Sequence, residues 1–139
     1  TVAGPGGITG TMVDAVHSGG MSGPDGIIPG GCPAGWVLAF PGGSRVYHAG
    51  DTMVFGDMRL IGEMYRPDVA FLPIGGHFTM DPPAAARAVE LLGCAVVVPI
   101  HYGTFPVLAG TTEQLREELV HLGLGDVEVV SPEPGGTVG

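Results

Sequence analysis

No lysine occurs in the 139 residues, and all five basic side chains are arginines set against fourteen acids, for a net charge of −9. Without lysine there is no Walker-type phosphate loop and no lysine Schiff base, so two broad enzyme classes drop out. The arginines are few and scattered, which argues against nucleic acid as a partner, because phosphate binding needs clustered cations. Cysteine is nearly absent too. Cys32 and Cys94 stand far apart and form no CxxC pair, and nothing marks the chain for secretion, where a disulfide would form. Cys94 opens an apolar strand and reads as a small buried residue, whereas Cys32 stays open as a nucleophile if a histidine stands beside it. No apolar run approaches the roughly 18 to 20 residues of a membrane span, and no signal-peptide pattern opens the chain. A cytoplasmic location without membrane contact is expected.

What is present suits a single globular domain, with 45% hydrophobic and 14% charged residues. The chain opens on Thr1 rather than Met, which fits a reading frame cut upstream. Glycine crowds residues 1–35, so loops are expected there, with one strand at Thr11–Val16. From Trp36 the pattern becomes regular. WVLAF and RVYHAG read as a hairpin turning at Pro41–Gly43. Phe55–Tyr65 has helical spacing and is stopped by Pro67. Asp68–Ile74 and Ala95–Ile100 are short and nearly all apolar, as strands covered on both faces are. Asp81 followed by Pro82 opens a helix that ends at Gly93, and Thr111 with Gln114 spells a capping box for a helix stopping at Gly123. A last strand falls at Val127–Val130. The order from Trp36 is ββαβαβαβ, an α/β layered domain.

That order places chemistry at strand ends. His17 follows one strand, His48 and Asp51 close another, His77 follows a third and His101 a fourth. Layered α/β proteins gather their sites in the loops at one end of the strands. Imidazoles and a carboxylate on rigid supports are what a catalytic metal needs, and a carboxylate with two oxygens can bridge two ions. In the segment YHAGDT, Gly50 allows a sharp turn and Thr52 can hold the carboxylate of Asp51 by hydrogen bonding. The plainer readings are a turn cap for Asp51, a backbone-satisfied histidine for His101 and a loop histidine for His17. Spacing alone does not choose, since neither HExxH nor CxxC is present. His121 lies late in a helix and is read as structural, and Trp36 with the methionines is read as core.

Taken together, AVHSGG, PAGWVL, VYHAGDTMVFGDMRLIGEMYRPDVAFLPIGGHFTMDP and VPIHYGTFPVLAGT resemble the metal-dependent hydrolases of the metallo-β-lactamase superfamily. The nearest branch by this likeness is the small bacterial hydrolases beside the L-ascorbate-6-phosphate lactonases. The resemblance runs from about Thr11 to Val130 and implies a four-layer αββα sandwich around a dinuclear metal site. It implies two divalent ions, zinc in the first place and manganese as the alternative. By the same likeness His17 is the third-motif ligand to one metal, Asp51 the bridging carboxylate and His101 the fifth-motif ligand to the other metal. His77, in the loop GGHFTM, is then placed to bind substrate or shuttle a proton. His48 and Thr79 fall around the site as bracing or pocket-lining residues.

The departure from the family pattern is as informative. The HxHxDH motif and the first-motif Asp, which carry most remaining ligands in that superfamily, are absent from the sequence. The whole chain, 1–139, is therefore expected to be the C-terminal part of a single hydrolase domain whose N-terminal part is missing. The expected activity of the complete protein is metal-assisted hydrolysis of an ester, lactone or phosphoester in a small molecule. The alternatives are a non-catalytic fragment with too few ligands, and an RNA-processing phosphodiesterase of the same fold, which the acidity disfavours. Half a sandwich should also leave the apolar strands DVAFLPI and AVVVPI uncovered, so homo-oligomers or aggregation are expected.

Overall fold

Side-chain alternation along the strands decides the layout. The computed structural model describes residues 1–137. In chain order these form β1 (Val2–Ala3), β2 (Thr9–Asp14), β3 (Gly20–Gly23), β4 (Gly26–Pro29), β5 (Ala34–Ala39), β6 (Arg45–His48), α1 (Met58–Tyr65), β7 (Val69–Pro73), α2 (Pro82–Leu92), β8 (Val96–Ile100), α3 (Thr112–His121) and β9 (Glu128–Val129). Among the described residues, seven strands make one mixed sheet in the order β1-β2-β5-β6-β7-β8-β9, while β3 and β4 pair only with each other. The sheet is antiparallel from β1 to β6 and parallel from β6 to β9. The C-terminal ends of β2, β6, β7 and β8 therefore all point the same way, with the β3–β4 hairpin inserted at that end.

One face of the sheet packs against the three helices. Val37, Tyr47, Ala49, Ala70, Leu72 and Val97 are buried there against Ile61, Ala85, Val89, Leu92, Leu115 and Leu119. Tyr47 is completely buried and its hydroxyl has no hydrogen-bond partner among the described residues; burial pushes the phenol up to about 12. Cys94 is buried as expected, and its thiol is pushed up to about 11 by the same desolvation, which disfavours the reactive thiolate.

The opposite face carries no layer within the described residues. In register across it run Met12, Trp36, His48, Phe71 and Val98, with Val46, Val69 and Val96 beside them. The apolar side chains of Val69, Phe71, Val96 and Val98 are only partly buried. Trp36, read from the sequence as core, is 38% exposed, and Met12, Met21, Met53 and Met64 are more exposed still, whereas Met58 and Met80 are fully buried. Met12 and Trp36 lie in register on the uncovered sheet face, and Met64 is exposed on α1. The described residues thus contribute one helical layer and one sheet layer.

The helix ends follow the sequence signals. Asp81 accepts the backbone N–H of Ala84 at 3.0 Å, Pro82 opens α2, and Gly93 closes it with φ +65°. Thr111 and Gln114 form the reciprocal capping box of α3. Helix α1 starts later than the predicted Phe55, because Phe55 and Gly56 are taken up in a turn that Met58 and Arg59 close by donating to their carbonyls. The glycine-rich stretch read as loop holds the β3–β4 hairpin, in which only Met21, Ile27 and Ile28 give a strand signal among glycine, serine and proline.

Candidate metal centre

Two of the candidate ligands meet. Asp51 leaves β6 through Gly50, whose φ is +65°, and its Oδ2 stands 3.7 Å from Nε2 of His101. His101 leaves β8 in the left-handed region, φ +54°, a conformation that costs a non-glycine residue on the order of 1 kcal/mol or more and is held only by firm surroundings. Those surroundings are specific. The carbonyl of His101 lies against Gly75 so closely that a Cβ there would run into its oxygen. On the ring side, Thr79 is buried and places its hydroxyl 3.5 Å from Nδ1 of His101. A partner on Nδ1 steers the ring so that Nε2 faces Asp51.

The loop carrying His17 is tied to the same place by Thr52. Its fully buried hydroxyl accepts the Val16 N–H at 2.8 Å and donates to the Met53 carbonyl, while Met53 N–H donates to Val16. The Thr52 carbonyl in turn accepts from Met80 N–H at 3.2 Å, which joins the Thr79 loop. The sequence reading gave Thr52 the task of holding the Asp51 carboxylate. The structure gives it another, stapling three strand-end loops together. His17 itself, half-buried, keeps Nδ1 3.1 Å from the carbonyl oxygen of Ser18 and makes no hydrogen bond or ion pair with Asp51.

The remaining candidates stand apart from the pair. His48 accepts the Gly50 N–H at 3.1 Å and stacks on Phe71, with ring centroids 5.6 Å apart, on the uncovered sheet face. It braces the turn before Asp51. His77 is exposed, has φ +62°, and sets its ring edge-on to Phe78. It lines a cleft with Asp81, Val107 and Glu117, towards α2 and α3. Gly75 was not singled out from the sequence, although the Gly75–Gly76 pair directly after an apolar strand is the kind of signal that marks close backbone approach.

The donor chemistry of the pair fits a divalent metal. Imidazole nitrogen and carboxylate oxygen bind zinc at roughly 2.0 to 2.2 Å, so two ligands of one ion stand about 3 Å apart, and 3.7 Å is a small side-chain turn from that. The number of donors falls short of a complete site. Catalytic zinc takes about three protein ligands, and among the described residues no three His, Cys, Asp or Glu side chains come together to hold an ion.

Comparison with known proteins places this geometry. The chain is 48% identical over 132 residues to a UPF0173 metal-dependent hydrolase of Roseiflexus castenholzii, covering 95% of this chain and 54% of that protein. It is 50% identical over 135 residues to a UPF0173 metal-dependent hydrolase of Rubrobacter xylanophilus, covering 96% of this chain and 55% of the relative. Among solved structures it superposes on Igni18, a metallo hydrolase from Ignicoccus hospitalis, with TM-score 0.78 and 41% identity over 96% of this chain and 53% of that one. The chain thus spans about half the length of the relatives it matches. The model of the β-lactamase superfamily domain matches residues 1–102, and with most of its length inside that match and its fold shared with a metallo hydrolase, the chain belongs to the metallo-β-lactamase-fold members of the β-lactamase superfamily.

Proposed function

We propose that this chain supplies one wall of a two-metal hydrolase site, and the observation that carries the reading is the 3.7 Å approach of Asp51 to His101. Asp51 would hold both ions, His101 one and His17 the other, with zinc as the metal and manganese as the alternative. Bound there, such ions would lower the pKa of water towards neutrality and polarise the scissile carbonyl or phosphoryl group. The chain's own residues do the positioning. Asp51, with its side chain 53% exposed, can accept a hydrogen bond from the attacking water and orient it. Thr79 keeps the His101 ring turned towards Asp51, and Thr52 keeps the three loops in register. His77 is the candidate for substrate contact or proton transfer from the neighbouring loop. The substrate is a small molecule hydrolysed at an ester, lactone or phosphoester bond, and the naming of the relatives as metal-dependent hydrolases supports this reading.

Metal analysis of the purified chain tests it. For a chain that supplies one wall only, zinc or manganese bound below two equivalents and lost in Asp51→Asn is the expected result, with chelator-sensitive turnover of ester or phosphodiester probes impaired or absent. A second reading, a non-catalytic polypeptide, is favoured by the lack of a three-donor cluster among the described residues. A metal-free chain with no turnover in zinc-supplemented buffer would establish that reading instead.

A further inference from the structure

We infer that the two ends of Thr52 do separate jobs at the site, its hydroxyl positioning His17 and its backbone serving the His101 side; this rests on the two-metal reading above. The backbone side is the simpler. The Thr52 carbonyl accepts the Met80 N–H at 3.2 Å, and the Met80 carbonyl accepts the Gly76 N–H at 2.9 Å. These bonds close the loop whose Thr79 stands 3.5 Å from Nδ1 of His101. What residue 52 contributes here comes from its main chain, so a change of its side chain leaves that contribution in place.

The His17 side depends on the side chain. A hydroxyl offers one proton and two lone pairs, and Thr52 uses both functions. Its Oγ1 accepts the Val16 N–H at 2.8 Å and donates to the Met53 carbonyl at 2.8 Å. The residue is fully buried, so water does not compete for the hydroxyl. Among the described residues, the segment 15–18 is hydrogen-bonded to the rest of the chain at Val16 only, by this bond and by the Met53 N–H donating to the Val16 carbonyl at 2.9 Å. His17 itself reaches no further than the carbonyl of Ser18.

Two bonds on either side of one Cα fix both peptide planes that flank Val16, and with them the direction in which the chain enters His17. With the carbonyl bond alone the segment pivots about it. Valine at position 52 keeps the branched shape and deletes the hydroxyl, which leaves the Val16 N–H without its acceptor. Serine keeps the hydroxyl and deletes only the methyl group. The hydroxyl role therefore predicts that serine preserves what valine loses, whereas a packing role predicts the reverse.

Hydrogen exchange resolved to single amides by mass spectrometry, on the wild-type chain, Thr52→Val and Thr52→Ser, tests the inference. Thr52→Val should speed exchange at Val16 at least about tenfold relative to Met80, while Thr52→Ser keeps the two in their wild-type ratio. Equal acceleration at both amides, or valine and serine variants that behave alike, overturns the inference. Should Thr52→Val not fold, Thr52→Ser decides: an unchanged ratio with Val16 protected supports the inference, and Val16 released relative to Met80 overturns it. The same samples treated with diethyl pyrocarbonate show which imidazoles zinc shields. Zinc should shield His101 in all three proteins and His17 only in the wild type and Thr52→Ser; equal shielding of His17 in all three overturns the inference. If zinc does not shield His17 in the wild-type chain, the two-metal reading fails there, and the exchange ratio alone decides the role of Thr52.

Discussion

Replacing Gly75 by alanine should both destabilise the protein and uncouple the Asp51–His101 pair. The backbone of Gly75 is not in a conformation that forbids alanine, so only space matters. A Cβ at this position would collide with the carbonyl oxygen of His101 and lie 3.3 Å from its carbonyl carbon and 3.0 Å from Cβ of Leu108. Neither neighbour can swing aside. His101 is fixed where Ile100 accepts the Ile74 N–H at 3.1 Å, and Leu108 is buried. The backbone must therefore move, at the about 1–3 kcal/mol typical of overpacking, offset by about 0.4–1 kcal/mol from the stiffer unfolded chain. A net loss of about 1–2 kcal/mol is expected in urea denaturation. Any retreat of His101 opens the 3.7 Å approach to Asp51, so zinc affinity should fall by about tenfold or more. Gly56 has nothing within 4 Å of an added Cβ and no positive φ, so Gly56→Ala serves as the control and should change stability little. If Gly75→Ala matches that control in both urea midpoint and zinc affinity, the steric reasoning is wrong.

Alkaline pH should destabilise the fold in a defined window. Tyr47 and Cys94 titrate near 10 and 9 when unfolded and near 12 and 11 when folded. Above pH 9 the unfolded chain therefore holds fewer protons, and stability falls as pH rises, by at most about 3 kcal/mol per group at full shift. Urea midpoints from pH 8 to 11 should show this decline, and Tyr47→Phe should flatten it while costing nothing at pH 7, because the lost hydroxyl has no partner among the described residues. A loss above 1 kcal/mol at pH 7 would refute the unpartnered hydroxyl. Thr111→Ala removes half of the α3 capping box and should cost about 1 kcal/mol in the same assay. The uncovered row of Met12, Trp36, Phe71 and Val98 should drive self-association at micromolar concentration; a monodisperse, cooperatively melting monomer in sedimentation and calorimetry contradicts this.

How much of this was legible in the sequence depended on how local each signal was. The ends of α2 and α3 could be read because their caps lie within a few residues: Asp81, Pro82 and Gly93, then Thr111 and Gln114. Strands β7 and β8 declared themselves by valine-rich apolar runs bounded by turn residues. The β3–β4 hairpin did not, because its glycines signal turns and only Met21, Ile27 and Ile28 favour a strand. Asp51 and His101 were singled out through strand-end position and family likeness, and they stand 3.7 Å apart in the structure. The direction of His48 was available and unused: Tyr47 points into the core, so its neighbour on β6 must point to the other face. The outward turn of His77 was not available, since it depends on a left-handed backbone that no side-chain pattern announces.

The placing of carboxylates along the strand direction has a kinetic consequence. With Asp14, Asp57 and Asp81 at the loop end beside Asp51, and Glu113 there paired with Arg116, that end carries an excess of carboxylates whose field reaches into solvent over roughly one Debye length, about 8–10 Å at ordinary ionic strength. A divalent cation arriving by diffusion would be drawn towards that end before any ligand touched it. Its capture should slow steeply as salt is added, even where the final affinity changes little. Lysine, the residue type the sequence lacks altogether, would weaken this field if placed in those loops.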